Sequence, residues 1–378
     1  MALVGAGHAH LHLLRQADRL RTAKVEAVLI SPTVFQYSGL ATAVLSGALP
    51  QSAAEIDVGV LAATFGVKHL AAEVVRIDLA ARALTTDEGQ VVAFDVLSLN
   101  VGSLTTDPHG LSARPNVWTV KPLARLFDLR RCVEASIRTT GRCPALVVAG
   151  GGPSGYEVAA ALAGLAERRG VAPRVTLVAE GPATWAAPSA LTRLTSELRR
   201  RGVQVRPGKV IERGSKDSCR LDDGQILDCD MLILATGVAA PEIVGTLGLP
   251  QTADGRLRVT PTLQSIATPV VFAVGDCGAI DGFPRPAAGV FGVRAAPTLV
   301  DNLAAQGAHA PARYRPQSRW LSIMDMGNGR GLAIHGRLWW YGRAALWLKR
   351  RLDLGFVARM RASERSVRTR RSGQPLQE

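Results

Sequence analysis

Ala145-Leu146-Val147-Val148-Ala149-Gly150-Gly151-Gly152-Pro153-Ser154-Gly155-Tyr156-Glu157 is the stretch on which the reading of this chain turns. Residues 145–149 are an apolar run of strand character, 150–155 a glycine-rich turn, and 156–169 a segment of helical period. Gly150, Gly152 and Gly155 give the spacing GxGxxG between strand and helix. Glycines there let the backbone approach a pyrophosphate, whose charge is met by amide N–H groups and by the positive end of the helix dipole. A further strand is expected over residues 174–179, and Glu180 stands just past it. A carboxylate in that place accepts hydrogen bonds from both hydroxyls of a ribose and repels a 2′-phosphate, which favours NADH over NADPH. A glycine turn alone is common in α/β proteins; here strand, turn, helix and carboxylate agree.

The same unit recurs at the start of the chain. Residues 1–4 are apolar, Gly5-Ala6-Gly7 forms a turn, 10–20 carry a helical period and 25–30 read as the second strand. This copy is degenerate: His10 occupies the place of the third glycine, and Ser31 the place of the acidic ribose ligand. The short opening strand leaves open a start upstream of Met1. Each copy also ends in an apolar strand that runs into a glycine, residues 95–102 ending in Gly102 and residues 230–237 ending in Gly237. A later strand, 270–274, leads into Gly275-Asp276. By returning to the first unit it would set Asp276 on a sugar-like polyol, which in flavoproteins is the ribityl chain; the plainer alternative is a helix N-cap. A helix is expected from near Gly292 to about residue 306. His8 and His12 have the i,i+4 spacing of metal ligands, but no carboxylate or cysteine nearby completes a set, so no metal is expected and His8 is read as a neighbour of the phosphates or flavin.

With 378 residues and 47% hydrophobic content the chain has room for two or three domains with cores of their own. A formal charge of +14 points to an anionic partner: a nucleotide, an anionic membrane surface or a nucleic acid. Much of it is concentrated between Tyr341 and Arg371, where ten Lys/Arg face Asp353 and Glu364. That stretch mixes Trp339, Trp340, Trp347, Leu352 and Phe356 with Arg343, Lys349, Arg350 and Arg351, which fits docking on a membrane surface or packing against the body or a dimer partner better than nucleic acid. Residues 365–371 are expected to be a disordered basic tail. The five cysteines form no CxxC pair, consistent with a reducing cytoplasm. No signal peptide is expected and no apolar run is long enough to span a bilayer, so membrane contact would be peripheral, on the cytoplasmic face.

Taken together, Gly5-Ala6-Gly7-His8-Ala9-His10, Ile30-Ser31-Pro32, Tyr37-Ser38-Gly39, Gly150 to Glu157, Ala235-Thr236-Gly237 and Ala273-Val274-Gly275-Asp276 resemble the pyridine nucleotide-disulfide oxidoreductase superfamily. The branch looks like type II NADH dehydrogenases and the flavoprotein module fused to selenide, water dikinase, and the likeness reaches to about Phe356. It implies an α/β fold with two Rossmann-like dinucleotide-binding domains: an FAD domain from residues 1–118 and 251–316, an inserted NAD domain over 119–250, and a C-terminal element over 317–378. FAD would be held by Gly5, Gly7, His8, Ser31, Gly102, Gly275 and Asp276, and NADH by Gly150, Gly152, Gly155, Glu180 and Gly237.

The implied chemistry is hydride transfer from nicotinamide to flavin, with electrons passed on to a quinone or other small acceptor. It asks for positioning more than for acids and bases. Lys121, at the domain crossover, is read either as a cation favouring the reduced flavin or as a plain surface lysine; Glu157, through its motif position, is read as shaping the pocket. Three departures bear on the acceptor. Phe35 to Leu49 carry no cysteine pair, which argues against dithiol chemistry; Cys132, Cys143 and Cys277 do not match the cysteines of sulfide:quinone oxidoreductases; and the glutamine-rich quinone motif is missing after Gly292. A sulfide- or sulfur-oxidising flavoprotein, and a non-catalytic nucleotide-sensing flavoprotein working beside a selenophosphate-producing enzyme, remain the alternatives. A homodimer stays open.

Overall fold

The computed structural model describes residues 1–181, 183–214, 217–305 and 310–371, the last ten of these by backbone alone. Two five-stranded parallel sheets dominate it. The first has the order Val271–Ala273, Leu97–Leu99, Ala2–Val4, Val28–Ile30, Lys68–Leu70; the second has Val117–Thr119, Met231–Leu234, Leu146–Ala149, Val175–Ala179, Gln204–Pro207. Their plans coincide. In each, the strand that opens into a glycine turn lies at the centre, between the next strand in sequence and the strand that closes the half, with Ala2 opposite Leu97 and Leu146 opposite Met231. Such strands are covered on both faces, which is why they read as unbroken apolar runs rather than as alternation. The outer strand Val271–Ala273 joins the first sheet beside Leu97–Leu99 after the second sheet is complete. The chain thus leaves its first sheet, builds the second and returns.

The helices place the turns. Pro153–Arg168 follows the second glycine turn with Tyr156, Val158, Leu162 and Leu165 buried beneath it. After the first turn the single helix expected over 10–20 is two, His8–Leu14 and Ala17–Thr22. Helix Gly289–Ala305 packs on His8–Leu14 and begins a turn earlier than expected. The approach is close: a Cβ at Gly289 would lie 3.2 Å from the His8 ring.

The C-terminal segment is a three-stranded antiparallel sheet, Leu321–Asp325, Gly331–His335 and Leu338–Gly342, followed by helix Arg343–Arg371. Its first hairpin sits on helix Pro153–Arg168, where a Cβ at Gly164 would overlap the Gly327 carbonyl and Gly327 itself turns at φ +68°. Arg201 fastens the contact by pairing with Glu167 at 2.7 Å and donating to the carbonyls of Met326 and, at 3.2 Å, Ala160. The helix Arg343–Arg371 then crosses to the other sheet's side, where Phe356 stacks on Tyr37 and Arg361 donates to the Glu55 carbonyl. The disordered tail expected over 365–371 is corrected: the backbone there continues helix Arg343–Arg371, and residues past 371 lie outside the described residues.

Candidate functional site

The first turn is tight around Asn100. Gly5, at φ +82°, has the Asn100 carbonyl where a Cβ would stand, 2.6 Å away, and a Cβ at Gly7 would overlap the Asn100 side chain. Asn100 Oδ1 accepts from the amides of Ala9 (3.0 Å) and His10 (3.2 Å), while its Nδ2 donates to the Val274 carbonyl at 2.8 Å. One side chain therefore caps the turn and ties it to the returning strand. His10, in the third-glycine place, is fully buried: Nδ1–H donates to the Gly5 carbonyl (2.6 Å) and Nε2 accepts from Ser98 Oγ (2.8 Å).

Burial pushes the His10 imidazole from 6.5 down to about 4. The unfolded chain therefore binds the extra proton between those values, and stability falls as pH drops through that window, by about 3 kcal/mol for this residue. His8, lowered to about 4 by burial against the opposing pull of Asp276, acts in the same direction. Denaturant midpoints measured from pH 7 to pH 4 should show the decline, and His10→Asn should flatten it.

Asp276 emerges from the short turn Gly275–Cys277 and caps no helix. Its Oδ2 accepts from Lys121 Nζ at 2.7 Å and from Ser103 Oγ at 2.9 Å. Burial opposes its ionisation, but the Lys121 charge and the two hydrogen bonds outweigh that and hold the carboxyl below its ordinary range. Lys121 is thus neither a free cation nor a surface lysine; its backbone is held too, N–H donating to Thr105 Oγ1 at 2.9 Å. Arg285 braces the same turn by donating to the carbonyls of Gly275 and Gly278, 3.0 Å each. The His8 ring stands in an aromatic set of Phe35, Tyr37 and Phe356, with centroids at 5.3, 5.6 and 5.6 Å, while His12 turns to Gln16. Ser31 is buried, donating to the Pro32 carbonyl at 3.0 Å and lying 3.2 Å from His69 Nε2.

The second turn is tighter still. Gly150 sits at φ +137°, and a Cβ there would overlap the Ala235 carbonyl; one at Gly155 would overlap the Gly150 carbonyl. By contrast, Gly152 and, in the first unit, Gly102 have no heavy atom within 4 Å of where a Cβ would stand. Both units therefore combine a turn that only glycine permits with open space at its mouth, the shape a dinucleotide phosphate needs. Gly237, at φ +111°, ends the strand Met231–Leu234 region beside Thr106. Glu180 projects past Val175–Ala179 with its side chain 68% exposed and paired to Lys209 at 2.7 Å. Trp185 bends back over the turn, Nε1–H donating to the Gly151 carbonyl at 2.9 Å.

Glu157, one turn into the helix, accepts from Thr42 Oγ1 (2.9 Å) and from the amide of Asp325 (2.8 Å). Burial raises its carboxyl above the usual range despite the nearby Lys349. From there the C-terminal segment continues a polar chain: Arg350 to Asp325 at 2.6 Å, Lys349 to Asp353 at 3.1 Å, and Tyr37 OH donating to Asp353 at 2.9 Å.

A model of the pyridine nucleotide-disulphide oxidoreductase family matches residues 1–307 of the chain, from the first glycine turn through helix Gly289–Ala305. The chain belongs to that family. The resemblance drawn from the glycine turns and the Gly275-Asp276 strand end is thereby borne out. Among relatives of this chain, an NADH dehydrogenase-like protein of Mycobacterium tuberculosis is 29% identical over 60% of this chain and 59% of its own length, so the chain spans under two thirds of that relative. The type II NADH:quinone oxidoreductase NdhA of the same organism is 27% identical over 84% of this chain and 74% of its own. Of solved structures, the sulfide:quinone oxidoreductase of Aquifex aeolicus superposes with a TM-score of 0.79 at 16% identity, covering 96% of this chain and 91% of that one. NDH2 of Plasmodium falciparum, solved with NADH, gives 0.77 at 14%, covering 96% and 98%. These two share the fold.

Several members of the site were missed from sequence. Asn100 and Ser98 are polar interruptions in the apolar run 95–102, a signal that was there to be used. Ser103, Arg285, Lys209 and Trp185 carried none.

Proposed function

We propose that this oxidoreductase is an FAD-dependent enzyme that takes hydride from NADH and passes electrons to a quinone or another small acceptor. The observation that carries this reading is the repeated sheet with its two glycine turns, the first joined at its mouth by Asp276 from the returning strand and Lys121 from the crossover. FAD, when bound, supplies a ring that accepts a hydride and gives up electrons singly or in pairs.

The chain's own residues supply position. Residues 1–118 and 251–316 form the FAD-binding unit, 119–250 the nicotinamide unit, and 317–378 the element that closes on both. Gly5, Gly7, Gly102 and Gly275 admit the FAD backbone, His8 stands as a neutral neighbour, and Ser31 holds the ribose-side turn with His69. Asp276, kept ionised by Lys121, accepts hydrogen bonds from a polyol; Lys121 positions that carboxylate, its charge being shared with it. Gly150, Gly152, Gly155 and Gly237 admit the NADH phosphates, Glu180 receives the ribose, and Glu157 shapes the floor between the two units. The relatives described above as NADH dehydrogenase-like and as an NADH:quinone oxidoreductase support the electron donor and the acceptor class.

A sulfur-oxidising reading would need a reactive cysteine beside Asp276. Cys277 is fully buried, its thiol directed to the carbonyls of Leu99 and Val274 and pushed up to about 11 by burial, which leaves it a poor nucleophile. Among the described residues no helix is long and apolar enough to cross a membrane. Trp347 and Leu354, seven residues apart and so on one face, are exposed on the basic helix Arg343–Arg371, with Arg351 over the Trp347 ring, and we propose that this face rests on an anionic membrane surface on the cytoplasmic side.

The test is the anaerobic absorption spectrum of the purified protein before and after NADH. A flavin band that bleaches rapidly is the expected result; no flavin, or a flavin untouched by NADH, would overturn the reading.

A further inference from the structure

We infer that Glu180 and Lys209 act as one charge-compensated pair at the adenosine ribose, in which Lys209 admits a 2′-phosphate, so that the nicotinamide site takes NADPH as well as NADH. The inference rests on the nicotinamide reading of the second glycine turn and deepens it.

Lys209 is set in place by its backbone. Strand Gln204–Pro207 lies beside Val175–Ala179 with Pro207 opposite Ala179, the residue before Glu180. Gly208, at φ +123°, turns the chain there, its amide donating to the Ala179 carbonyl at 3.2 Å. Lys209 is then clamped from both ends by Asp222: its amide donates to Asp222 Oδ1 at 2.8 Å, and the Asp222 amide donates back to the Lys209 carbonyl at 2.9 Å. From that fixed base Nζ reaches Glu180 Oε1 at 2.7 Å, while both side chains stay in solvent, 48% and 68% exposed.

A bare carboxylate at the ribose excludes a 2′-phosphate by repulsion. Here the carboxylate already has an ammonium on one oxygen, so the pair presents no net charge. The second oxygen remains an acceptor for a ribose hydroxyl, which serves NADH. The lysine stem is flexible and its head has three donors; swung through solvent to a 2′-phosphate, it makes charge-assisted hydrogen bonds while Glu180 keeps the neighbouring hydroxyl. An exposed ion pair contributes little to folding, so its removal tests recognition.

The experiment is equilibrium titration of the FAD-loaded protein with NAD+ and, separately, NADP+, followed by calorimetry and therefore independent of turnover. The wild type should bind both with affinities within about tenfold of one another, and Lys209→Ala should shift the ratio at least about tenfold toward NAD+, the effect of losing a hydrogen bond between charged groups. Glu180→Gln should shift it the opposite way. A ratio unmoved by Lys209→Ala, or a wild type that binds NAD+ and refuses NADP+, overturns this inference while the nicotinamide reading stands. Binding of neither nucleotide overturns both.

Discussion

Gly155→Ala should abolish the response to NADH while sparing the flavin. The added methyl would overlap the Gly150 carbonyl oxygen, and both partners are backbone, so nothing flexible can yield. Gly150 cannot relieve the crowding by turning, because it already sits at φ +137° with the Ala235 carbonyl against its other side. The turn must open or the helix Pro153–Arg168 must tilt, at a cost of about 1–3 kcal/mol. Its N-terminal amides then miss the nucleotide, and a misplacement of about 1 Å suffices for a loss of about a hundredfold. The measurement is the NADH concentration dependence of anaerobic flavin bleaching, alongside the flavin content of the purified variant. Gly152→Ala gives the complement: its methyl meets open space, so it should weaken NADH without lowering the melting temperature. Affinity within a few-fold of wild type in both variants would place the nucleotide elsewhere.

Asp325→Ala should be the most destabilising single change in the C-terminal segment, by about 3–5 kcal/mol, the cost of leaving a buried charge without its partner. Asp325 is 1% exposed. Its carboxylate accepts from Arg350 at 2.6 Å and from the Gly327 amide at 2.9 Å, while its own amide donates to Glu157. Truncation strands the Arg350 guanidinium, already short of a partner at Nη1. Urea midpoints supply the measurement, and Asp325→Ala combined with Arg350→Met should recover part of the loss, because the orphaned charge goes with it. A single-variant loss under about 1 kcal/mol would mean that water screens the pair as it does on a surface.

The two sheets and the return of Asp276 to the first could be read from sequence because parallel strands covered on both faces are apolar throughout and each ran into a glycine. Local geometry carried that information. His10 was harder: in the third-glycine place it read as decay of the motif, yet its imidazole bridges Gly5 and Ser98 and does by hydrogen bonding what close packing does in the other turn. Lys121 was read as a flavin cation or a surface group, and its ion pair with Asp276 was not seen because that partner lies 155 residues away. The surroundings of Glu157 were hidden for the same reason. Asp325, Lys349 and Asp353 come from the far end of the chain, and no spacing rule relates them to a helix start at residue 153. Glu180 was read without Lys209, whose ammonium pairs with it at 2.7 Å.

The hairpin seated on Gly164 and the helix that follows it, stacked through Phe356 on Tyr37, make the C-terminal segment a brace between the sheets. The two halves, which also share one buried core, are expected to melt together, and a nucleotide on the second turn should protect amides around the first from hydrogen exchange.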